Sequence, residues 1–293
     1  MTSVKEYAYA KLNLYLDVIA KREDGFHEIK TVMHTVSLCD EITVSIKPAE
    51  KRSIKLIISG DYKLPTDSRN LSYKAAELFL NSILASGDIL IHLKKNIPVA
   101  AGLAGGSADA AAVLRALNKL YKRRLTDKCL LKLAAELGSD VPFCLVGGTA
   151  LCTGRGEQME RLENKLALHT VVAVGNEHIS TPMAYSRLDE MYDNFSSGER
   201  EEGKKHYDAI MTALSNGKLS HEKLYNIFEN AILPICNGAE MIKNKLIELG
   251  ATHTLMSGSG PSVFGIFENR TDAQRAADHL VSHGFKAHYA QSV

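Results

Sequence analysis

Residues 98–112 read Pro-Val-Ala-Ala-Gly-Leu-Ala-Gly-Gly-Ser-Ala-Asp-Ala-Ala-Ala. Apolar residues recur from Ala110 to Tyr121 at the spacing of one buried helix face, so we predict that a helix follows the glycines. The preceding residues 89–93 are typical of a strand. A glycine-rich loop between a strand and a helix N-terminus can bind an anion, because glycine lets the backbone approach a phosphate and the helix dipole favours its charge. We therefore predict a phosphate site, with a tight turn of small residues as the alternative.

The loop lacks the features of two common nucleotide-binding motifs. No Gly-Lys-Ser/Thr follows the glycines, which excludes a Walker A loop, and their spacing is not the Gly-x-Gly-x-x-Gly of a Rossmann fingerprint. A loop without its own lysine needs a cation from elsewhere in the chain. Its pattern, Pro-x-x-x-Gly-Leu-x-Gly-Gly-Ser-x-Asp-Ala-Ala, resembles the ATP loop of the GHMP small-molecule kinases, which include galactokinase, homoserine kinase and mevalonate kinase.

Length and composition indicate a globular protein of two domains. The 293 residues exceed the usual size of a single core, and 45% hydrophobic with 24% charged residues is an ordinary composition. The formal net charge of +1, without a long basic tract, gives no support to binding of nucleic acid or of a membrane surface. No signal-like segment begins the chain and no apolar run reaches 18 residues, so we expect a cytoplasmic protein.

The hydrophobic patterning predicts an α+β fold. Strands are predicted at 6–20, 29–38, 40–47 and 53–59, a hairpin at Gly147-Gly148 between 143–146 and 149–153, and a charged loop at 196–205. A polar stretch at 155–168 suggests an N-terminal mixed α/β domain (1–160) and a C-terminal domain (161–293). The C-terminal domain ends as strand, Gly-Ser-Gly-Pro turn, strand, helix and strand, which favours a ferredoxin-like split βαβ arrangement.

Two residues are candidates for the chemistry of phosphoryl transfer, which requires an aligned acceptor hydroxyl and neutralised phosphate charge. We place Asp140 at a helix-to-strand junction before Pro142, where it would act as a base; a turn or cap aspartate is the alternative. Lys11 shares one strand face with Asn13 and Tyr15, which could be a plain solvent surface. In the interior, it could instead bind the acceptor oxygen or the γ-phosphate.

Further segments extend the resemblance over residues 10–267. Residues 10–14 (Ala-Lys-Leu-Asn-Leu) and 24–28 (Asp-Gly-Phe-His-Glu) are similar to one branch of the GHMP kinases, whose substrate is a methylerythritol linked to cytidine diphosphate. Residues 138–143 resemble the segment with its catalytic aspartate, and 257–262 its third, glycine-rich motif. Phe26 stands where that branch has tyrosine. The resemblance implies a two-domain GHMP kinase fold with the active site in the cleft between the domains.

The resemblance also implies roles for residues on the acceptor side. Asp140 would be the catalytic base with Lys11 as its partner, and Asn13 would help to hold the substrate. His27 would bind the cytosine edge, with Phe26 and Tyr185 near the ring, because a pyrimidine offers a flat face and a pattern of donors and acceptors. The alternatives are a packed core ring for Phe26 and an ordinary loop histidine for His27.

On the nucleotide side, the resemblance implies that ATP lies over the glycine-rich loop, with one further residue near the adenine. The residues concerned are Pro98, Gly102, Leu103, Ala104, Gly105, Gly106, Ser107 and Asn70. Either Lys94 or Lys95 could face the nucleotide, and Asp109 could simply be an acid stabilised by the helix dipole. Magnesium is expected with ATP, with Ser107 as the one protein ligand named.

The implied reaction is ATP-dependent phosphorylation of the 2-hydroxyl of the diphosphocytidyl alcohol, giving the 2-phosphate and ADP in the non-mevalonate route to isoprenoids. We expect a monomer or a weak homodimer. One alternative is a GHMP kinase for a different alcohol. Another is a nucleotide-binding regulatory protein that keeps the fold without turnover, although the presence of both Lys11 and Asp140 argues against it.

Overall fold

The computed structural model describes residues 1–175, 177–192, 200–219 and 224–293, which form two compact units. Unit 1 comprises Met1–Ala10, Cys39–Val99 and Ala104–Gly147, and unit 2 comprises Lys11–Leu38, Ala100–Leu103 and Gly148–Val293. The two longest strands, β1 (Thr2–Lys21) and β2 (His27–Lys47), contribute residues to both units. The domain boundary expected between residues 160 and 161 stays a prediction.

Unit 1 combines a mixed sheet with helices. Its further elements are β3 (Arg52–Ser59), α1 (Leu71–Ser82), β4 (Gly87–Lys94), α2 (Gly105–Leu120), α3 (Asp127–Leu137) and α4 (Val141–Val146). The strand order is β3-β4-β2-β1, with β4 parallel to β3 and antiparallel to β2. Apolar side chains of the strands and helices form one core, to which Ile91, Phe79 and Leu114 belong. Thr126 caps α3 by accepting a hydrogen bond from the Cys129 N–H.

Residues 143–146 are helical, so the predicted hairpin around Gly147-Gly148 is wrong. Pro142 lies in the first turn of α4, where the missing proline N–H would have had no partner within the helix. Asp140 consequently precedes a helix and not a strand. The strand predicted after the glycines does form, as β5 (Thr149–Thr153), but it pairs with β2 and with β6 (Gln158–Arg161).

Unit 2 contains a four-stranded antiparallel sheet in the order β11-β7-β10-β9. Besides β5 and β6, its elements are β7 (His169–Val174), α5 (Thr181–Met191), α6 (Glu201–Asn216), β8 (Tyr225–Asn226), α7 (Phe228–Ile232), a 3-10 turn (Leu233–Ile235), α8 (Asn237–Glu248), β9 (His253–Met256), β10 (Val263–Phe267), α9 (Arg270–Ser282) and β11 (Lys286–Gln291). This strand order is the ferredoxin-like one, and the predicted α+β class is confirmed. No helix in the described ranges is long and apolar enough to cross a membrane.

Two local predictions for the strands and loops are corrected. The strands expected at 29–38 and 40–47 are one continuous strand, β2, in which burial alternates through Leu38, Cys39 and Asp40. The charged stretch expected as a loop at 196–205 is helical from Glu201, where two acidic residues in the first turn favour a helix N-terminus. Residues 196–199 of that prediction lie outside the described residues.

Candidate active site

The predicted helix forms as α2, but it begins earlier than expected, at Gly105, so that Gly105, Gly106 and Ser107 form its first turn. Ala104 precedes it with a φ of +56°, a left-handed conformation that turns the chain into the helix. Gly106 is exposed and Ser107 is half-buried, and the Ser107 hydroxyl forms no hydrogen bond with any described residue. Since the first N–H groups of a helix have no partner within it, this turn offers donors and the positive end of a dipole to an anion.

Buried charges lie against this first turn within unit 1. Lys95 follows β4, its side chain is 2% exposed, and its Nζ donates to Asp109 Oδ2 at 2.8 Å and to Asp40 Oδ2. A Cβ on Gly105 would lie 2.9 Å from Lys95 Nζ, so the glycine is what allows the lysine to pass beneath the helix. We call Asp40, Lys95 and Asp109 the buried triad. It connects β2, the end of β4 and the first turn of α2.

The triad brings two carboxyl groups and one amino group together where they are almost fully buried. Burial raises the pKa of Asp109 to about 8, with Asp40 adding to the rise and Lys95 opposing it. Burial by itself would lower the pKa of Lys95, but the two carboxylates raise it above the ordinary value. Asp109 is therefore largely protonated at neutral pH, and Lys95 is charged. Lys94, in contrast, forms an exposed ion pair with Glu41 at 2.9 Å.

Asn70 has a clear local role as the N-cap of α1. Its side chain accepts from the Ser72 N–H at 2.9 Å and donates to the Pro65 carbonyl at 2.9 Å. Pro98, at the start of the loop, is buried in the same unit. The places expected for Asn70 near adenine and for Pro98 beside the nucleotide stay predictions.

Asp140 is half-buried immediately before α4. Its carboxylate accepts no capping hydrogen bond from α4, and it has no hydrogen-bond or ion-pair partner among the described residues. The alternative interpretation as a capping aspartate is therefore not supported. A carboxylate without partners at a half-buried position can take a proton from a ligand hydroxyl.

The face of β1 that carries Lys11 is buried, so the alternative of a plain solvent surface is wrong. Lys11, Asn13, Tyr15 and Asp17 alternate along this face, and none of them is more than 4% exposed. Periodicity cannot distinguish these two cases, because the covering residues are far away in the sequence. The glycine-rich turn at 257–260 and strand β8 contact this face.

The ammonium group of Lys11 is held by two neutral acceptors within unit 2. Its Nζ donates to Asn13 Oδ1 at 2.6 Å and to the Gly102 carbonyl at 2.9 Å. Asn13 Oδ1 also accepts from the Gly258 N–H at 2.9 Å, and Asn13 Nδ2 donates to Thr31 Oγ1 at 2.8 Å. An ammonium has three N–H donors, so one of them has no acceptor among the described residues. Lys11 also has no carboxylate partner among them.

Gly102 permits a close backbone approach at this point. Its φ is +74°, and a Cβ at this position would overlap the carbonyl oxygen of Ser257. The Gly102 carbonyl in turn accepts from Ser257 Oγ at 3.1 Å as well as from Lys11. Leu103, the next residue, accepts from the backbone N–H of Lys11 at 3.2 Å through its carbonyl. These bonds tie 102–103 to β1 and to the glycine-rich turn.

A second polar group of unit 2 surrounds His27. Its Nε2 lies 2.6 Å from Asp189 Oδ1, and Lys21 donates to the other oxygen of Asp189 at 2.7 Å. Burial would raise the pKa of Asp189, but the bonds from Lys21 and His27 lower it below the ordinary value. The His27 ring stacks on Tyr185 with centroids 4.5 Å apart, so the two predicted residues do come together. His27 is thereby held in one orientation by a helix, α5, and by the end of β1.

Phe26 is 54% exposed, so its interpretation as a packed core ring is wrong. The guanidinium of Arg155 lies 4.8 Å from its ring centroid. An exposed ring beside a cation is available for stacking against a planar ligand. Its assignment to the cytosine stays a prediction.

Sequence reasoning missed several residues that organise these groups. They are Asp40 of the triad, Asp189 beside His27, Thr31 beside Asn13, and Asn226, which contacts the glycine-rich turn. Their partners lie far away in the sequence or on another element, so no local pattern could reveal them.

Comparisons with known proteins agree with this architecture. The family model described as "GHMP kinases N terminal domain" matches residues 70–148, and the one described as "GHMP kinases C terminal" matches 210–286. Among solved structures, a homoserine kinase from Cytophaga hutchinsonii has a TM-score of 0.76 at 21% identity, covering 100% of this chain and 95% of that chain. That likeness concerns the fold alone.

More similar proteins carry a more specific name. The 4-diphosphocytidyl-2-C-methyl-D-erythritol kinase of Caldicellulosiruptor saccharolyticus is 42% identical over 278 residues, covering 93% of this chain and 91% of that protein. The protein of the same name from Clostridium acetobutylicum is 39% identical over 272 residues, with 92% of each chain covered. A crystal structure of 4-(cytidine 5'-diphospho)-2C-methyl-D-erythritol kinase has a TM-score of 0.80 at 33% identity, with 98% of each chain covered. The chain therefore belongs to the GHMP kinases and, within them, to the family of the 4-diphosphocytidyl-2-C-methyl-D-erythritol kinases.

Proposed function

We propose that this chain transfers the γ-phosphoryl group of ATP to the 2-hydroxyl of 4-diphosphocytidyl-2-C-methyl-D-erythritol, giving the 2-phosphate and ADP. The observation that carries the proposal is the buried ammonium of Lys11, which is held by two neutral acceptors and has no carboxylate partner among the described residues. A buried charge without a counter-ion is costly. An anionic ligand, such as a phosphoryl group or a developing alkoxide, would supply the missing charge.

In this reaction Asp140 is the base and Lys11 the cationic partner of the acceptor oxygen. Asp140 is supported by its half-buried carboxylate without a partner, which is ready to accept the proton of the acceptor hydroxyl. Lys11 then stabilises the negative charge on that oxygen during the transfer. The third N–H of its ammonium is the donor left for this task.

ATP is the phosphoryl donor, and we place its phosphates at the first turn of α2. The donors are the backbone N–H groups of Gly105, Gly106 and Ser107, supported by the helix dipole. The buried triad holds this turn next to β4. Because the Lys95 ammonium already donates to Asp40 and Asp109, we assign it to supporting the loop and not to binding a phosphate. The half-buried Ser107 hydroxyl, without a partner among the described residues, is a suitable ligand for Mg²⁺. When bound, Mg²⁺ would neutralise charge on the ATP phosphates.

The cytidine end is assigned to His27, Tyr185 and Phe26. The ionised Asp189 keeps His27 in one orientation, and the stack on Tyr185 fixes its plane. This arrangement suits the recognition of a base by its edge and face. We expect Asn13 to act mainly through Lys11, because its amide oxygen already accepts two hydrogen bonds.

Competition by cytidine ligands tests the substrate assignment. CDP should inhibit the reaction competitively against the diphosphocytidyl substrate, whereas UDP should inhibit much more weakly. A GHMP kinase for another alcohol would be insensitive to both, and that result would overturn the assignment. A regulatory protein would bind ATP without releasing ADP, which would overturn the proposed activity as a whole.

We further propose a cytoplasmic location, which the ordinary globular composition without a long apolar run supports, and a monomeric or weakly dimeric state. Sedimentation velocity at micromolar concentrations tests the proposed oligomeric state. A stable tetramer at the lowest concentration would contradict it.

A further inference from the structure

Asn226 lies in β8 and is 3% exposed, and its side-chain hydrogen bonds with the described residues all go to backbone groups. Its Nδ2 donates to the Met256 carbonyl at 2.7 Å and to the Gly258 carbonyl at 2.8 Å. Its Oδ1 accepts from the Phe228 N–H at 3.0 Å. One amide group therefore joins the start of α7 to the carbonyl of Met256, at the end of β9, and to that of Gly258, in the glycine-rich turn at 257–260.

Gly258, whose carbonyl accepts from Asn226, is also bonded to the candidate site through its N–H. The Gly258 N–H donates to Asn13 Oδ1 at 2.9 Å, and the same oxygen accepts from Lys11 Nζ at 2.6 Å. Gly258 has a φ of +58°, and a Cβ there would lie 3.4 Å from Lys11 Nζ and 3.0 Å from the Gly102 carbonyl oxygen. The turn thus passes directly over the ammonium group, and its position decides where that group can lie.

We propose that Asn226 is a positioning residue for Lys11, acting through the backbone of Gly258 and the amide of Asn13. Without the two N–H donors of Asn226, the buried carbonyls of Met256 and Gly258 lose their partner, and the turn is free to shift. A shift of the Gly258 N–H releases Asn13 Oδ1 from one of its two donors. Asn13 then no longer has a fixed rotamer, and the Lys11 ammonium loses its defined direction.

This inference rests on the proposed function of Lys11, and its test separates the two. Asn226→Ala should lower kcat by about 30-fold, because small displacements transmitted to a reacting group can cost up to about a hundredfold. The KM for ATP should change by less than about threefold, since ATP is assigned to another part of the chain. Asn230→Ala is the matched control, because this exposed asparagine in the same segment has one side-chain hydrogen bond within the described ranges, to the Tyr192 hydroxyl. Its kcat should equal that of the wild type.

A double-mutant cycle shows whether Asn226 acts through Asn13. In an Asn13→Ala background, the further change Asn226→Ala should lower kcat by less than about threefold, because the connection is already broken. A merely structural role would give the same loss in both backgrounds, and that result would overturn the proposal. Full activity of Lys11→Met would overturn the proposed role of Lys11 and this inference with it. An inactive Lys11→Met beside a fully active Asn226→Ala would overturn this inference alone.

Amide hydrogen exchange of the wild-type chain provides a test that needs no variant. The Gly258 N–H, bonded to a buried acceptor, should exchange at least about a hundredfold more slowly than in an unstructured peptide. Free exchange at Gly258 would overturn the proposal even if Asn226→Ala and the milder Asn226→Ser both failed to fold. In a folded variant, protection should fall at Gly258 and stay unchanged in α9.

Discussion

Gly102→Ala tests the close approach of the glycine-rich loop to the turn at 257–260. The added Cβ would overlap the Ser257 carbonyl oxygen, and alanine would have to adopt a φ of +74°. The left-handed conformation alone costs about 1 kcal/mol. To relieve the overlap, the Gly102 carbonyl must move, although it accepts from Lys11 Nζ at 2.9 Å and from Ser257 Oγ at 3.1 Å.

The loss of these two hydrogen bonds accounts for the rest of the expected decrease in the free energy of unfolding. A bond from a charged donor contributes about 1.5–3 kcal/mol and one between neutral groups about 1 kcal/mol. Together with the backbone cost, Gly102→Ala should lower the free energy of unfolding by about 3.5–5 kcal/mol. In a chain of this length the Tm should fall by roughly 6–8 °C, which differential scanning calorimetry would measure.

Gly106→Ala is the matched control in the same loop. Its φ is not in the left-handed region, and the added Cβ would meet only Leu71 Cδ1, at 3.7 Å. Because alanine favours a helix over glycine, this variant should be neutral or gain up to about 1 kcal/mol. If Gly102→Ala lost less than about 3 °C, or if both variants lost the same amount, the close approach described here would be refuted.

Three further predictions concern the candidate site. Asp140→Asn should lower kcat by a factor of about 10² or more, with ATP affinity by calorimetry unchanged, and a variant with half the wild-type rate would exclude Asp140 as the base. Asp109→Asn should change the pH dependence of stability: the raised pKa of Asp109 makes its contribution complete below about pH 4 and loses it as the pH rises towards 8, so the variant should gain stability relative to the wild type between pH 5 and pH 8. Urea unfolding at both pH values would measure this, and a constant difference would contradict a buried, protonated Asp109. Asp189→Asn should raise the KM for the diphosphocytidyl substrate about tenfold and leave the KM for ATP unchanged, because His27 loses its charged partner; equal effects on both constants would contradict the assignment.

Features encoded in short segments could be predicted from the sequence. The helix expected after the glycines depends on residues within a few turns of one another, where hydrophobic spacing acts directly. The C-terminal succession of strands and helix likewise determined the ferredoxin-like sheet. Pro142 was misinterpreted because proline is equally suited to end one helix and to lie in the first turn of the next.

The network of buried polar residues could not be predicted, for a different reason. Lys95 and Asp40 are 55 residues apart, and Asn13 and Gly258 are 245 residues apart, so no periodic pattern connects them. The alternation along β1 correctly grouped Lys11 with Asn13, but only the covering turn shows that this face is buried. The partners of a buried polar group are decided by tertiary packing, which hydrophobic periodicity does not encode.

The most direct test of the central claim is an ADP-release assay with purified chain, ATP and Mg²⁺, in which four alcohols are compared. ADP should form with 4-diphosphocytidyl-2-C-methyl-D-erythritol and not with mevalonate, homoserine or galactose, and Lys11→Met should abolish the signal. Turnover of another alcohol at a higher kcat/KM, or full activity of Lys11→Met, would contradict the account.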